Sequence, residues 1–114
     1  QGRGLALLEA PGADGVSSTA LTAAGATVLL FTTGRGTPMG FPAPTLKISS
    51  NSALAEKKPH WIDFDAGRVL SGMSFEQAAD KLFQLVLNTA SGASTRSEDN
   101  DEREIAIWKD GVTL

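Results

Sequence analysis

The sequence contains no cysteine, one histidine, and no basic cluster larger than Lys57-Lys58. Each absence closes off some chemistry. Without thiols there can be no disulfide framework, no cysteine nucleophile and no cysteine-bound zinc. With 10 Lys and Arg against 13 Asp and Glu, and a net charge of −3, the chain lacks the positive footprint that phosphate-backbone binding requires, so nucleic acid is excluded as an expected ligand. No run approaches the roughly 18 apolar residues of a spanning helix, and the N-terminal "QGRGLALLEAPG" has neither the order nor the cleavage site of a signal peptide. The expectation is a cytoplasmic protein that does not meet a membrane.

What remains is ordinary in composition: 114 residues, 41% hydrophobic and 20% charged, enough for one domain with a modest core. A start at Gln1 with a strand-like run by residue 4 reads as a piece cut near a domain boundary. Strand-like and helix-like segments alternate, which predicts an α/β fold with a mostly parallel sheet. Residues 5–8 (Leu-Ala-Leu-Leu) read as a short buried strand. A helix follows, capped by Asp14 or Ser17 and stopped at Gly25. Residues 27–32 are β-branched and aromatic, the expected central strand. Residues 45–49 read as the next strand, followed by a short helix capped by Asn51 or Ser52. Residues 61–65 alternate apolar and acidic side chains, as an edge strand with Asp63 and Asp65 in water would. Ser74-x-x-Gln77 is a capping box opening the longest helix, whose apolar positions 75, 78, 79, 82, 86 and 90 should face the sheet. Residues 91–104 are polar and acidic and read as a mobile loop before a last strand over 104–109. The sum is a small three-layer domain with about five strands, Rossmann-like in outline but not nucleotide-binding.

The chemistry concentrates in "FTTGRGTPMG", residues 31–40. In open α/β sheets ligands bind beyond the carboxyl ends of the strands. There Gly34 and Gly36 let the backbone approach a ligand closely, and the guanidinium of Arg35 between them can hold a carboxylate through two parallel hydrogen bonds. Thr32, Thr33 and Thr37 add hydroxyls. A second reading stays open, in which Arg35 caps carbonyls or pairs with Asp14 or Asp65. The turn is not a nucleotide loop, since prolines stand where the phosphate-binding helix would begin and no Gly-Lys-Ser/Thr follows. His60 reads as structural or exposed. Glu9 and Asp14 could contribute to a metal site, or be a strand-end acid and a helix cap. Trp61 and Trp108 read as core or interface aromatics.

Taken together, the Pro-Gly-Ala-Asp turn at 11–14, Phe-Thr-Thr-Gly-Arg-Gly at 31–36, Lys47-x-x-x-Asn51, "DFDAGRVLSG" and the closing "EIAIWKDGVTL" resemble the C-terminal region of the altronate/galactarate dehydratase family. That family also has a sulfolactate sulfo-lyase branch. The resemblance covers nearly the whole chain, which implies a single domain, 1–114, from the C-terminal part of a larger enzyme. It implies a lyase that removes water from a hexonate or hexarate to leave a keto-deoxy acid. It implies a divalent cation, iron(II) or manganese(II), with most ligands outside this chain. Arg35, Gly34, Gly36, Thr33, Thr37 and Asn51 would form the substrate-binding set. Partners would be the sugar acid and the remaining domains, with a structural or dimerising role, or sulfolactate cleavage, as alternatives. No general base can be assembled from one histidine and scattered carboxylates, so the isolated chain is expected to be inactive.

Overall fold

Among the described residues three short strands, all parallel and adjacent in chain order, form the centre of the molecule. The computed structural model describes residues 2–107. β1 is Leu29–Thr33, β2 is Thr45–Ser49 and β3 is Phe64–Asp65. β1 and β2 are in register from Leu29 opposite Thr45 to Thr33 opposite Ser49. Every residue of β2 is buried, as expected of a middle strand in a parallel sheet covered on both faces. Around the sheet lie α1 (Asp14–Ala23), α2 (Ser52–Lys57), α3 (Phe75–Ala90) and α4 (Arg96–Asp99), with a 3₁₀ segment over Ala66–Ser71.

Because β1 and β2 are parallel, the chain between them must cross from one end of the sheet to the other. The crossover contains no helix. Pro38, Pro42 and Pro44 keep it extended, and it lies against the sheet, burying Phe41 and Ala43 with Leu29 while Met39 and Phe31 pack alongside. A hairpin, which "GTPMGFPAP" also permits, does not form. The β2–β3 crossover carries α2, whose N-cap Asn51 accepts the Leu54 N–H at 2.8 Å, as its position before an apolar run predicts.

The α/β class and the parallel sheet match expectation, but the count of about five strands does not hold among the described residues. Residues 5–8 are not a strand, and Leu5 and Leu7 stand 96% and 94% exposed. An apolar run specifies burial only if a neighbouring surface covers it. Residues 104–107 form no strand either, and 108–109 lie outside the described residues. α1 begins without the expected side-chain cap: its N-cap is Ala13, and the Ser17 hydroxyl donates to the Asp14 carbonyl instead. α3 starts at the expected capping box, yet it packs chiefly on the 3₁₀ segment rather than the sheet, leaving Phe75 and Phe83 exposed. Among the described residues no helix is long and apolar enough to cross a membrane.

The largest departure concerns residues 91–104. The acidic stretch is not a free loop but carries α4, which packs on β2. Thr95 accepts from the Glu98 N–H while the Glu98 carboxylate accepts from the Thr95 N–H, a reciprocal cap that Thr95-x-x-Glu98 announces just as Ser74-x-x-Gln77 does. Thr95 and Ser97 are fully buried or nearly so. Gly40 marks the tightest approach, since a Cβ there would run into the Glu102 carbonyl and the Ser97 side chain. Backbone cannot yield as a side-chain tip can. Gly40→Ala should therefore destabilise the chain by about 1–3 kcal/mol or more, read as a lower urea midpoint with an unchanged slope.

Candidate functional site

The carboxyl end of β1 delivers residues 33–37 to the sheet edge, and short tethers hold the turn there. The Gly36 N–H donates to the Thr33 hydroxyl at 2.9 Å, closing the turn on itself. Gly36 has φ 88°, a conformation open to glycine and strained for other residues. A Cβ there would also press on Leu54. Asn51 reaches across from the end of β2 and donates its amide to the Gly34 carbonyl at 3.0 Å.

The six sequence-predicted residues thus come together, with divided labour. Arg35 is exposed, and within the described residues its side chain makes no hydrogen bond or ion pair. Neither Asp14 nor Asp65 pairs with it, because Asp65 is 3.7 Å from the guanidinium of Arg68 and accepts from the Gly67 N–H. Asn51 spends its oxygen on α2 and one N–H on Gly34. Thr33 and Thr37 accept from the Gly36 and Met39 amides. These three residues build the turn's shape, and Arg35 is its projecting charge. Next to the turn's carboxyl-end neighbours, a cleft of about 350 Å³ is lined by Ser52, Ala55, Glu56, Asp65, Arg68 and Ser71. Arg68 is thus a second exposed cation at the carboxyl edge, one that the sequence signals only by its loop position.

Behind the turn lies a buried polar layer that the sequence did not disclose. Register places Thr45, Lys47 and Ser49 on the sheet face shared with Leu29, Phe31 and Thr33. Lys47 is completely buried, and its ammonium donates to the Thr37 carbonyl at 2.6 Å. Burial lowers the Lys47 pKa from its ordinary value, opposed by the charges of Asp63, Glu102 and Glu104. Asp63, expected in water, instead accepts the Lys47 N–H with one oxygen and the Arg96 N–H with the other, each at 2.8 Å. It therefore ties β2 to the start of α4. Burial raises its pKa, and the two amides and the charges of Lys47 and Arg96 pull the other way. Alternation of apolar and acidic residues over 61–65 signalled an exposed face, and only the folding of α4 onto β2 covers it.

At the outer margin of this layer Glu104 accepts the Gly40 N–H at 2.9 Å, and its own N–H donates to the Gly40 carbonyl. Its side chain also meets Glu102. The hydrogen bond with Glu104 raises the Glu102 carboxyl. Burial would raise Glu104 too, but the hydrogen bonds from Glu102 and from backbone amides, with the Lys47 charge, hold it below its ordinary value. His60 is exposed and uses its carbonyl to accept from Asn100. Trp61 packs beneath the Lys58 ammonium, 4.5 Å above the ring; Trp108 lies outside the described residues.

A divalent cation needs several hard ligands around one point. Among the described residues no three His, Asp or Glu side chains are grouped to supply them. Glu9 and Asp14 do not form such a set, so the described residues do not fit a resident metal.

The buried ammonium has a consequence for stability. An unfolded chain holds the Lys47 proton to a higher pH than the folded one, so wild-type stability gains as pH rises from the lowered folded value towards that of a free lysine. Comparison of wild type with Lys47→Met by urea unfolding between about pH 7 and pH 10 should show the difference moving in favour of the wild type.

A family model described as D-galactarate/altronate dehydratase, C-terminal, matches residues 1–113. The chain is 51% identical over 111 residues to the altronate dehydratase of Escherichia coli strain K12, covering 97% of this chain and 22% of that protein. It is 49% identical over 113 residues to the altronate dehydratase of Bacillus subtilis strain 168, covering 98% and 23%. Against the galactarate dehydratase (L-threo-forming) of E. coli K12 it is 38% identical over 99 residues, covering 85% and 19%. The chain therefore spans about a fifth of the length of these curated relatives. With a match over almost its whole length, the chain belongs to the D-galactarate/altronate dehydratase family and corresponds to its C-terminal region.

Proposed function

We propose that the complete enzyme carrying this chain is a sugar-acid hydro-lyase, removing water from a hexonate or hexarate such as altronate or galactarate, and that this domain binds the substrate carboxylate through Arg35. The observation that carries the reading is a tethered, glycine-flanked turn at the carboxyl end of a parallel strand that presents one guanidinium with no partner among the described residues.

Loss of water from a hydroxy acid begins with removal of the proton next to the carboxylate, which spreads negative charge over the carboxylate oxygens. A fixed cation at those oxygens stabilises the charge as it develops, and costs little reorganisation if its loop is already held. Arg35 supplies such a cation, and its forked donors suit a planar carboxylate. The general base, the proton donor for the departing hydroxyl and the ligands of the iron(II) or manganese(II) ion belong, in this reading, to the remainder of the polypeptide. A cytoplasmic setting is part of the same reading.

A structural or dimerising role has its own supporting observation. An apolar groove of about 450 Å³ between the 3₁₀ segment and α3 is lined by Phe64, Val69, Leu70, Phe75, Ala78 and Leu82, among others, and Leu70 and Phe75 are 87% and 82% exposed. Arg35 separates the two. In the complete enzyme, Arg35→Ala should leave folding and assembly intact while reducing kcat/KM for the sugar acid about tenfold or more, roughly 1.4 kcal/mol. Unchanged kinetics for Arg35→Ala, with the oligomer lost on Leu70→Asp in the groove, would favour the structural role. Sulfolactate, assayed alongside altronate and galactarate, tests the sulfo-lyase alternative.

A further inference from the structure

The crossover segment that carries Arg35 has no regular secondary structure to fix it. Between Gly34 and Gly40 it is neither helix nor strand, and Pro38 lacks the amide N–H by which any other residue there could be tied down. Its position therefore rests on tethers from elsewhere. On the near side these are Asn51 to the Gly34 carbonyl and Thr33 to the Gly36 amide. On the far side they come from two residues distant in sequence. Lys47 donates to the Thr37 carbonyl at 2.6 Å from the middle of β2, and Glu104 grips Gly40 by side chain and backbone, each bond 2.9 Å.

We propose that Lys47 and Glu104 are positioning residues for Arg35: they clamp the crossover from its far side, so that the guanidinium meets the substrate carboxylate on a turn whose backbone is already in place. The inference rests on the carboxylate-binding reading of Arg35. Lys47 is completely buried, with no surface to offer a ligand; it acts through the Thr37 carbonyl. An apolar side chain of similar length would fill the same space without the cost of burying a charge, so what distinguishes lysine here is the bond it makes. Glu104 is placed differently, partly exposed at the rim, and reaches the same segment three residues further on. Two unrelated elements, a central strand and the chain beyond α4, converge on residues 37–40. If both clamps serve Arg35, loosening either one should lower kcat/KM for the sugar acid, in the same sense as loss of the guanidinium itself.

The test is steady-state kinetics of the complete enzyme with altronate and galactarate, for Lys47→Met, Lys47→Arg, Glu104→Ala and Arg35→Ala, together with the double variant Arg35→Ala/Lys47→Met. Lys47→Met should lower kcat/KM about tenfold, Lys47→Arg should recover part of the loss, and Glu104→Ala should move kcat/KM in the same direction. In the Arg35→Ala background Lys47→Met should add little, because the residue it positions is gone. A merely structural lysine would give no such non-additivity. Folded Lys47→Met and Glu104→Ala enzymes with unchanged kcat/KM, or effects fully additive with Arg35→Ala, would overturn the proposal. Should Lys47→Met fail to fold, Glu104→Ala decides by the same criterion. If Arg35→Ala itself leaves kcat/KM unchanged, the carboxylate-binding reading is what has failed; if it lowers kcat/KM and neither clamp variant does, the positioning role alone is lost.

Discussion

The buried ammonium of Lys47 is the constraint around which one face of this domain is arranged. A charge in the middle of a strand with no solvent access is tolerated only if its donors and surrounding charges are provided for. Here the Thr37 carbonyl supplies the bond, and Asp63, Glu102 and Glu104 supply the compensating field. Meeting that requirement brings together the first crossover, the chain before β3 and the segment around α4. Those three pieces cover the Lys47 face of β2, and α2 and the 3₁₀ segment also lie against the strand, so that a sequence of mixed polarity, Thr-Leu-Lys-Ile-Ser, is buried along its whole length.

The same arrangement accounts for how the candidate site is held. Parallel strands need a long connection, and here that connection is an extended, proline-marked path rather than a helix. Such a path has little stiffness of its own from hydrogen bonding. It acquires a fixed course because apolar residues Met39, Phe41 and Ala43 sink against β1 and because polar side chains from four other places grip its carbonyls and amides. Arg35 is the part of this path left over once the gripping is done. Its glycine neighbours, one with positive φ, allow the turn, and Thr33 and Asn51 close it.

Several elements were legible in the sequence because their signals are local. The Asn51 cap, the Ser74-x-x-Gln77 box, the β-branched run of β1 and the strand at 45–49 each depend on residues within a turn or two of one another. So did the Gly-Arg-Gly turn, since glycine spacing and strand position suffice to mark it. The failures share an opposite cause. Leu5 and Leu7 look like strand residues, but no described part of the chain covers them. Residues 91–104 look like solvated loop by composition, although Thr95-x-x-Glu98 carries a helix cap of the same kind as the one recognised at Ser74. Composition averaged over the stretch outweighed a four-residue signal.

The amino-acid order alone set the local conformations and carries the resemblance that identifies the family, because both rest on short patterns of residue type. It also determined which residue projects as a cation from the β1 turn. What surrounds the buried side of that turn emerges only when the chain is folded. Lys47, Asp63 and Glu104 are 16 and 41 residues apart along the chain, and nothing in their spacing shows that they meet. They do so because the parallel register of β1 and β2 turns Lys47 towards the crossover, and because α4 folds back over β2. Both are long-range contacts, set by which surfaces find one another rather than by any pattern within a single segment.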